Sequence, residues 1–99
     1  ISPFAHARLA SLKAKLSDAT AARVRLEEQV KAIYADQDRI RSNMGKLSRD
    51  SDLYKKYERT LSEQENRLFK LDAELDKAKT EETARKKEVD AYVQSVDVK

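Results

Sequence analysis

The side chains that most often perform catalysis are present in this sequence, but their spacing assembles no reaction centre. His6 is the only histidine and the 99-residue chain has no cysteine, so a zinc site built from His and Cys ligands is excluded. Carboxylates occur in pairs at Glu27–Glu28 and Glu81–Glu82. A general acid–base pair also needs a concave, partly dry pocket, and the sequence contains no P-loop or glycine-rich phosphate cradle. We predict no enzymatic activity, no cofactor and no metal site.

Basic residues cluster in the middle of the chain and indicate one further kind of chemistry, nucleic-acid binding. The cluster comprises Arg39, Arg41, Lys46, Arg49, Lys55, Lys56 and Arg59, with Tyr54 and Tyr57 nearby. Cations beside aromatic rings can hold the phosphates and bases of a single strand. Acidic residues share the segment, at positions 36, 38, 50, 52 and 58. We therefore expect local ion pairs around a packed turn, and nucleic-acid binding stays as the alternative.

Two ladders of mainly apolar residues predict the elements that position these side chains. The first ladder runs through Leu9, Leu12, Leu16, Ala19, Arg23, Leu26, Val30, Ile33, Gln37, Ile40, Met44 and Leu47. The second runs through Tyr54, Tyr57, Leu61, Gln64, Leu68, Leu71, Leu75, Ala78, Glu82, Arg85, Val89 and Tyr92. Their alternating steps of three and four match the 3.5-residue period of a coiled coil. The pattern predicts an all-α fold, an antiparallel two-helix coiled-coil hairpin, although the same seams can also close between two chains.

Polar residues within the ladders indicate how the helices align. Gln37 and Gln64 lie equally far from the point between residues 50 and 51. We expect the two amides to hydrogen-bond to each other and set the register, because an amide facing leucine leaves polar groups unsatisfied at about 1–3 kcal/mol. On this reasoning Gln37→Leu alone destabilises the fold by stranding Gln64. In the same alignment Arg23 and Glu82 occupy adjacent layers and can bridge the seam, and Arg85 extends its head group outward.

Three larger apolar residues lie outside the ladders. Val24 and Phe69 take b positions of the heptad and Tyr34 takes an e position. Single exposed apolar residues are normal. Together with alanines at 10, 21 and 35, however, these three suggest a second apolar stripe. We predict that Val24, Tyr34 and Phe69 contact a partner, which is another protein or a second hairpin.

Capping residues predict the helix boundaries. Ser2 before Pro3 suits an N-cap followed by the first helical position, and helix 1 is expected over about 3–43. Gly45 suits a residue in the left-handed conformation after that helix. The turn is expected over about 44–51, with Asp50 or Ser51 as the cap of helix 2 over about 52–95. The alternating residues 96–99 can begin a strand.

Composition supports one elongated helical domain over residues 1–99. Charged residues make up 39% of the chain, and it contains one glycine and one proline, as long uninterrupted helices require. The formal net charge is +3, and no apolar run approaches the ~20 residues of a membrane span. Because the sequence begins at Ile1, we expect a fragment of a longer protein.

Three stretches around the turn resemble a known family. Residues 36–44 read DQDRIRSNM, residues 51–57 read SDLYKKY, and residues 61–65 read LSEQE. They resemble the C-terminal helical segment of bacterial mucoidy-inhibitor-like proteins, a family of domains of unknown function. Lys56 stands where that pattern often has arginine. The resemblance covers about 30 residues, implies a bacterial envelope or secreted setting, and supplies no catalytic residues.

Taken together, these features predict a structural or protein-interaction module of a larger bacterial protein. Such a module serves as a spacer, a docking arm or a self-association arm. The alternative is a nucleic-acid-binding arm that uses the basic residues of the turn.

Overall fold

A computed structural model describes residues 2–97, and over this range the chain is a two-helix hairpin. Helix α1 spans Pro3–Met44 and helix α2 spans Asp52–Asp97. Residues 45–51 connect them without further helix or strand. The predicted all-α class and antiparallel coiled-coil hairpin are confirmed, and both helix boundaries fall within two residues of those expected.

Serine side chains cap the start of both helices. The Ser2 Oγ accepts a hydrogen bond from the Ala5 backbone N–H at 3.1 Å, as predicted. At α2 the cap is Ser51 rather than Asp50, because the Ser51 Oγ accepts from the Tyr54 N–H at 3.1 Å. These bonds satisfy amide groups that have no partner within the first turn of a helix.

Gly45 does not take the left-handed conformation that was expected at the end of helix α1. None of residues 2–97 has a positive φ angle, so the predicted left-handed conformation is wrong. The Gly45 N–H still makes a helical bond to the Arg41 carbonyl at 3.1 Å, and the next two N–H groups bond three residues back, to Asn43 and Met44. This tightening of the last turn satisfies the terminal carbonyls without a left-handed residue.

The end of α2 also departs from the sequence-based expectation. Val96 and Asp97 continue the helix, so the strand suggested by the alternation of residues 96–99 is wrong for these two positions. Val98 and Lys99 lie outside the described residues. Four alternating residues carry too little periodicity to override the helix that precedes them.

Burial follows the two ladders. The residues with less than a tenth of their surface exposed are Leu12, Ala19, Gln37, Ile40, Leu68, Leu71 and Val89, and all of them are ladder positions. Every other ladder position from Leu9 to Tyr92 is half-buried. The predicted buried face of each helix is therefore confirmed at every ladder position.

Contacts within the chain group its residues into two compact units. The turn unit comprises residues 26–74, and its most buried side chains are Gln37, Ile40, Leu68 and Leu71. The end unit pairs residues up to 25 with residues from 75 onward, and Leu12, Ala19 and Val89 form its buried centre. Neither helix, over the described residues, has a stretch long and apolar enough to cross a membrane.

Gly45→Ala should raise the free energy of unfolding by about 0.4–1 kcal/mol, because alanine restricts the unfolded chain more than glycine does. A Cβ atom at this position would meet the Ser42 carbonyl oxygen at 3.5 Å, an ordinary contact. Urea denaturation followed by circular dichroism measures the change. A loss of stability would instead mean that residue 45 takes a left-handed conformation in solution.

Candidate functional site

A polar cluster lies inside the turn unit, where two amides bond to carboxylates on the opposite helix. Gln37 is 1% exposed, and its Nε2 donates to Glu65 Oε1 at 3.0 Å. In the other direction, Gln64 Nε2 donates to Asp36 Oδ2 at 2.7 Å. Each amide therefore binds the carboxylate that neighbours the other amide in sequence. Two reciprocal cross-helix bonds result.

The expected direct bond between Gln37 and Gln64 is not formed. Gln64 Oε1 is buried and accepts no hydrogen bond from residues 2–97. A carboxylate is a stronger acceptor than a neutral amide, and both donors have one within reach. Gln64 is bonded to Asp36 and not to Gln37, so the premise that Gln37→Leu strands Gln64 does not hold. The role of this layer in register remains a prediction.

Asp36 is the most heavily bonded carboxylate of the cluster. Besides the Gln64 amide, it accepts a hydrogen bond from Arg39 Nε at 2.9 Å. These two donors, Arg39 first and Gln64 second, hold the pKa of Asp36 below its ordinary value of 3.8. Asp36 therefore stays ionised at neutral pH and keeps its negative charge beside the seam.

Gln64→Leu should raise the free energy of unfolding by about 1 kcal/mol. It removes a buried oxygen that has no partner, and this gain outweighs the lost bond to Asp36, because the Asp36 carboxylate is 40% exposed and keeps its bond to Arg39. Thermal and urea denaturation of the purified chain measure the change. Gln64→Glu serves as the comparison, since it keeps the shape but places a charge next to Asp36 and should destabilise. If Gln64→Leu proves less stable than the unsubstituted chain, the amide is better satisfied in solution than its contacts here indicate.

A second cross-helix contact holds the end unit together. Arg23 Nε donates to Glu82 Oε1 at 2.7 Å, and both side chains are about one-quarter exposed. The predicted bridge between adjacent layers is confirmed. Hydrogen bonds from the Thr20 hydroxyl and the Arg23 guanidinium hold the pKa of Glu82 below its ordinary value of 4.5.

Arg85 occupies a seam position but sends its charge outward, as expected. Its Nε donates to Glu81 at 2.7 Å and its Nη1 to Glu88 at 3.2 Å, and both partners lie on the same helix. The side chain is 31% exposed, so its stem lies against the seam while the guanidinium reaches the surface.

Glu82→Gln should make the fold less sensitive to acid. A carboxylate whose pKa is depressed by folding contributes stability that is fully present above its unfolded pKa and is lost as pH falls through its folded pKa. We expect thermal midpoints of Glu82→Gln, measured by circular dichroism from neutral pH to well below 4.5, to fall less steeply than those of the unsubstituted chain. Glu63→Gln is the control, because Glu63 is exposed and the change in charge is the same. Identical profiles for the two variants would contradict this assignment.

The candidate catalytic side chains described here are either exposed or bonded to arginines. His6 is exposed, and Glu81 and Glu82 are bonded to arginines. Within residues 2–97, no three histidine or acidic side chains converge in the way a metal ion requires. Glu81 and Glu82 thus take part in ion pairs with arginines of the two helices.

Two of the basic residues around the turn lie beside acidic residues of the same helix. Arg39 pairs with Asp36 at 2.9 Å, and Arg41 approaches Asp38 at 3.8 Å, so the expected local ion pairs are present. The Tyr57 hydroxyl accepts a hydrogen bond from Asn43 Nδ2 at 3.2 Å. Both tyrosines of the cluster, at 54 and 57, are half-buried.

The sequence reasoning also missed a cleft beside the turn. It is an open cleft of about 440 Å³, lined by Arg41, Met44, Gly45, Leu47, Arg49, Tyr54 and Leu61. The sequence carried one signal of it: residues 41–59 hold six basic and three acidic side chains, whereas the remaining 80 residues hold 15 of each. The formal net charge of +3 thus resides entirely around the turn.

The predicted partner-contact residues are exposed in their respective units. Phe69 is 80% exposed and Tyr34 52% exposed in the turn unit, and Val24 is 38% exposed in the end unit. The structure adds three exposed apolar residues that the sequence reasoning did not single out, namely Phe4, Leu53 and Val93. Their position off the heptad ladders was the signal available for finding them.

Comparison with known proteins places the chain in no family. No family model, curated protein or solved structure matches it.

Proposed function

We propose that this chain is a coiled-coil arm for protein–protein interaction within a larger bacterial protein, acting as a spacer, a docking arm or a self-association arm. The exposure of Phe69 supports this most directly. This residue is 80% exposed, although its neighbour Leu68 is buried in the seam. Aromatic side chains contribute large contact areas at protein interfaces, and this ring adds little to the packing of its own unit.

The distribution of polar contacts supports a role without catalysis. Carboxylates that could act as acids or bases are bonded to arginines or amides, as at Glu82 and Glu65. Their hydrogen bonds hold one helix against the other. We therefore propose that the chain supplies shape and surface rather than reactive groups.

The nucleic-acid alternative has weaker support. Single-strand binding uses aromatic rings that stack on bases, whereas Tyr54 and Tyr57 are half-buried. Arg39, one of the cations that would hold phosphates, is already paired with Asp36 at 2.9 Å. The proposed bacterial setting, with an envelope or secreted location, rests on the resemblance of the turn segments to mucoidy-inhibitor-like proteins.

Phe69→Ser should abolish self-association of the chain, because it removes the largest exposed apolar surface of the turn unit. Sedimentation equilibrium should give a mass above the 11.4 kDa of one chain for the unsubstituted protein and the single-chain mass for the variant. Lys70→Ser is the matched control, since Lys70 is exposed and adjacent but polar. A single-chain mass for the unsubstituted protein, or equal masses for both, would remove the self-association form of this proposal.

A further inference from the structure

The cleft beside the turn is lined by three apolar residues, here called its floor, and by two arginines, here called its rim. Met44, Leu47 and Leu61 line it and are half-buried, so their side chains offer apolar surface that the seam does not fully cover. Arg41 and Arg49 line the same cleft and are exposed. A group that is complementary to this surface carries both an apolar side chain and negative charge.

The two arginines of the rim have little competition for their charge. The Arg41 guanidinium lies 3.8 Å from Asp38, longer than a hydrogen bond, and the Asp38 side chain is 84% exposed. The Arg49 side chain makes no hydrogen bond or ion pair within the described residues. Exposed and weakly paired guanidinium groups are well suited to bidentate carboxylate recognition.

Gly45 in the cleft wall provides an independent indication. Its φ angle is not positive, and a Cβ atom would meet neighbouring carbonyl oxygens at 3.5 and 3.7 Å. Neither backbone conformation nor crowding therefore demands glycine here. Because Gly45 lines the cleft, a larger side chain at this position would stand in its wall, so the absence of a side chain keeps the cleft open.

We propose that this cleft binds an acidic peptide segment of a partner protein. An apolar side chain of the segment is seated on Met44, Leu47 and Leu61, and its carboxylates pair with Arg41 and Arg49. The assignment rests on the proposed role as a protein-interaction arm and names the chemistry of the partner. Charge complementarity favours it, since the whole net charge of +3 lies within residues 41–59. The apolar floor and the half-buried tyrosines favour a peptide over a nucleic acid.

The test selects ligands without assuming their sequence. The full chain is immobilised and used to select phage-displayed random peptides of about 12 residues at low salt. The selected peptides are then synthesised, and their binding is measured by fluorescence anisotropy. We expect selected peptides in which aspartate or glutamate flanks leucine, isoleucine, methionine or phenylalanine. Affinity should fall about tenfold or more in Arg49→Glu, because like charges then face each other.

Two further variants separate the cleft from general charge and from misfolding. Gly45→Leu fills the wall without altering charge and should weaken binding by roughly tenfold, while circular dichroism confirms that it is folded. Lys70→Glu makes the same change in net charge as Arg49→Glu at an exposed residue outside the cleft and should leave binding within about twofold.

Three outcomes would overturn the proposal. They are the absence of acidic–apolar peptides from the selection, binding that is unchanged by both Arg49→Glu and Gly45→Leu, and preferential binding of a single-stranded oligouridylate that these variants weaken. The last result would assign the turn to nucleic acid. None of them concerns Phe69, so failure at the cleft leaves the sedimentation test of the proposed function standing, and the reverse also holds.

Discussion

Helix formation in this chain depends on the burial of one narrow strip of side chains on each helix. Isolated helices gain little stability from their own hydrogen bonds, and 39% of the residues are charged, so only the seam supplies a substantial apolar surface. Fully buried side chains such as Ile40 and Leu71 each contribute about 1.5–3 kcal/mol relative to exposure. With no thick core available, each seam position carries a larger share of the stability than it would in a globular domain.

Polar side chains at seam positions do not prevent the helices from packing, because each of them reaches a charged partner near the surface. Gln37 and Gln64 bond to carboxylates on the facing helix, and Arg23 bonds to Glu82. A coiled coil is only two side chains wide, so a polar group in the seam is never far from its edge. The exception is Gln64 Oε1, which stays buried without a partner and is the polar defect of the turn unit.

Periodicity was sufficient to predict both helices and their buried faces, because every turn of a seam requires a side chain that packs between the two helices. Leu12 and Val89 obey that requirement in the same way, and so do Leu68 and Leu71. The partners of Gln37 and Gln64 were harder to predict, since the choice between an amide and a neighbouring carboxylate depends on side-chain reach that a heptad pattern does not encode. The conformation of Gly45 and the cleft beside it depend on how one helix end tightens, which is a local geometric outcome without a periodic signal.

The reciprocal amide–carboxylate bonds of the turn unit restrict where residues can be inserted into the chain or deleted from it. Deleting one residue between Gln37 and the turn would rotate the preceding part of α1 by about 100° relative to its partner, breaking both amide–carboxylate bonds and the apolar match. Insertions and deletions are therefore tolerable within residues 45–51, or as whole heptads removed from both helices together. Natural variants of this arm that are shorter or longer in their helices should therefore differ by balanced multiples of seven residues.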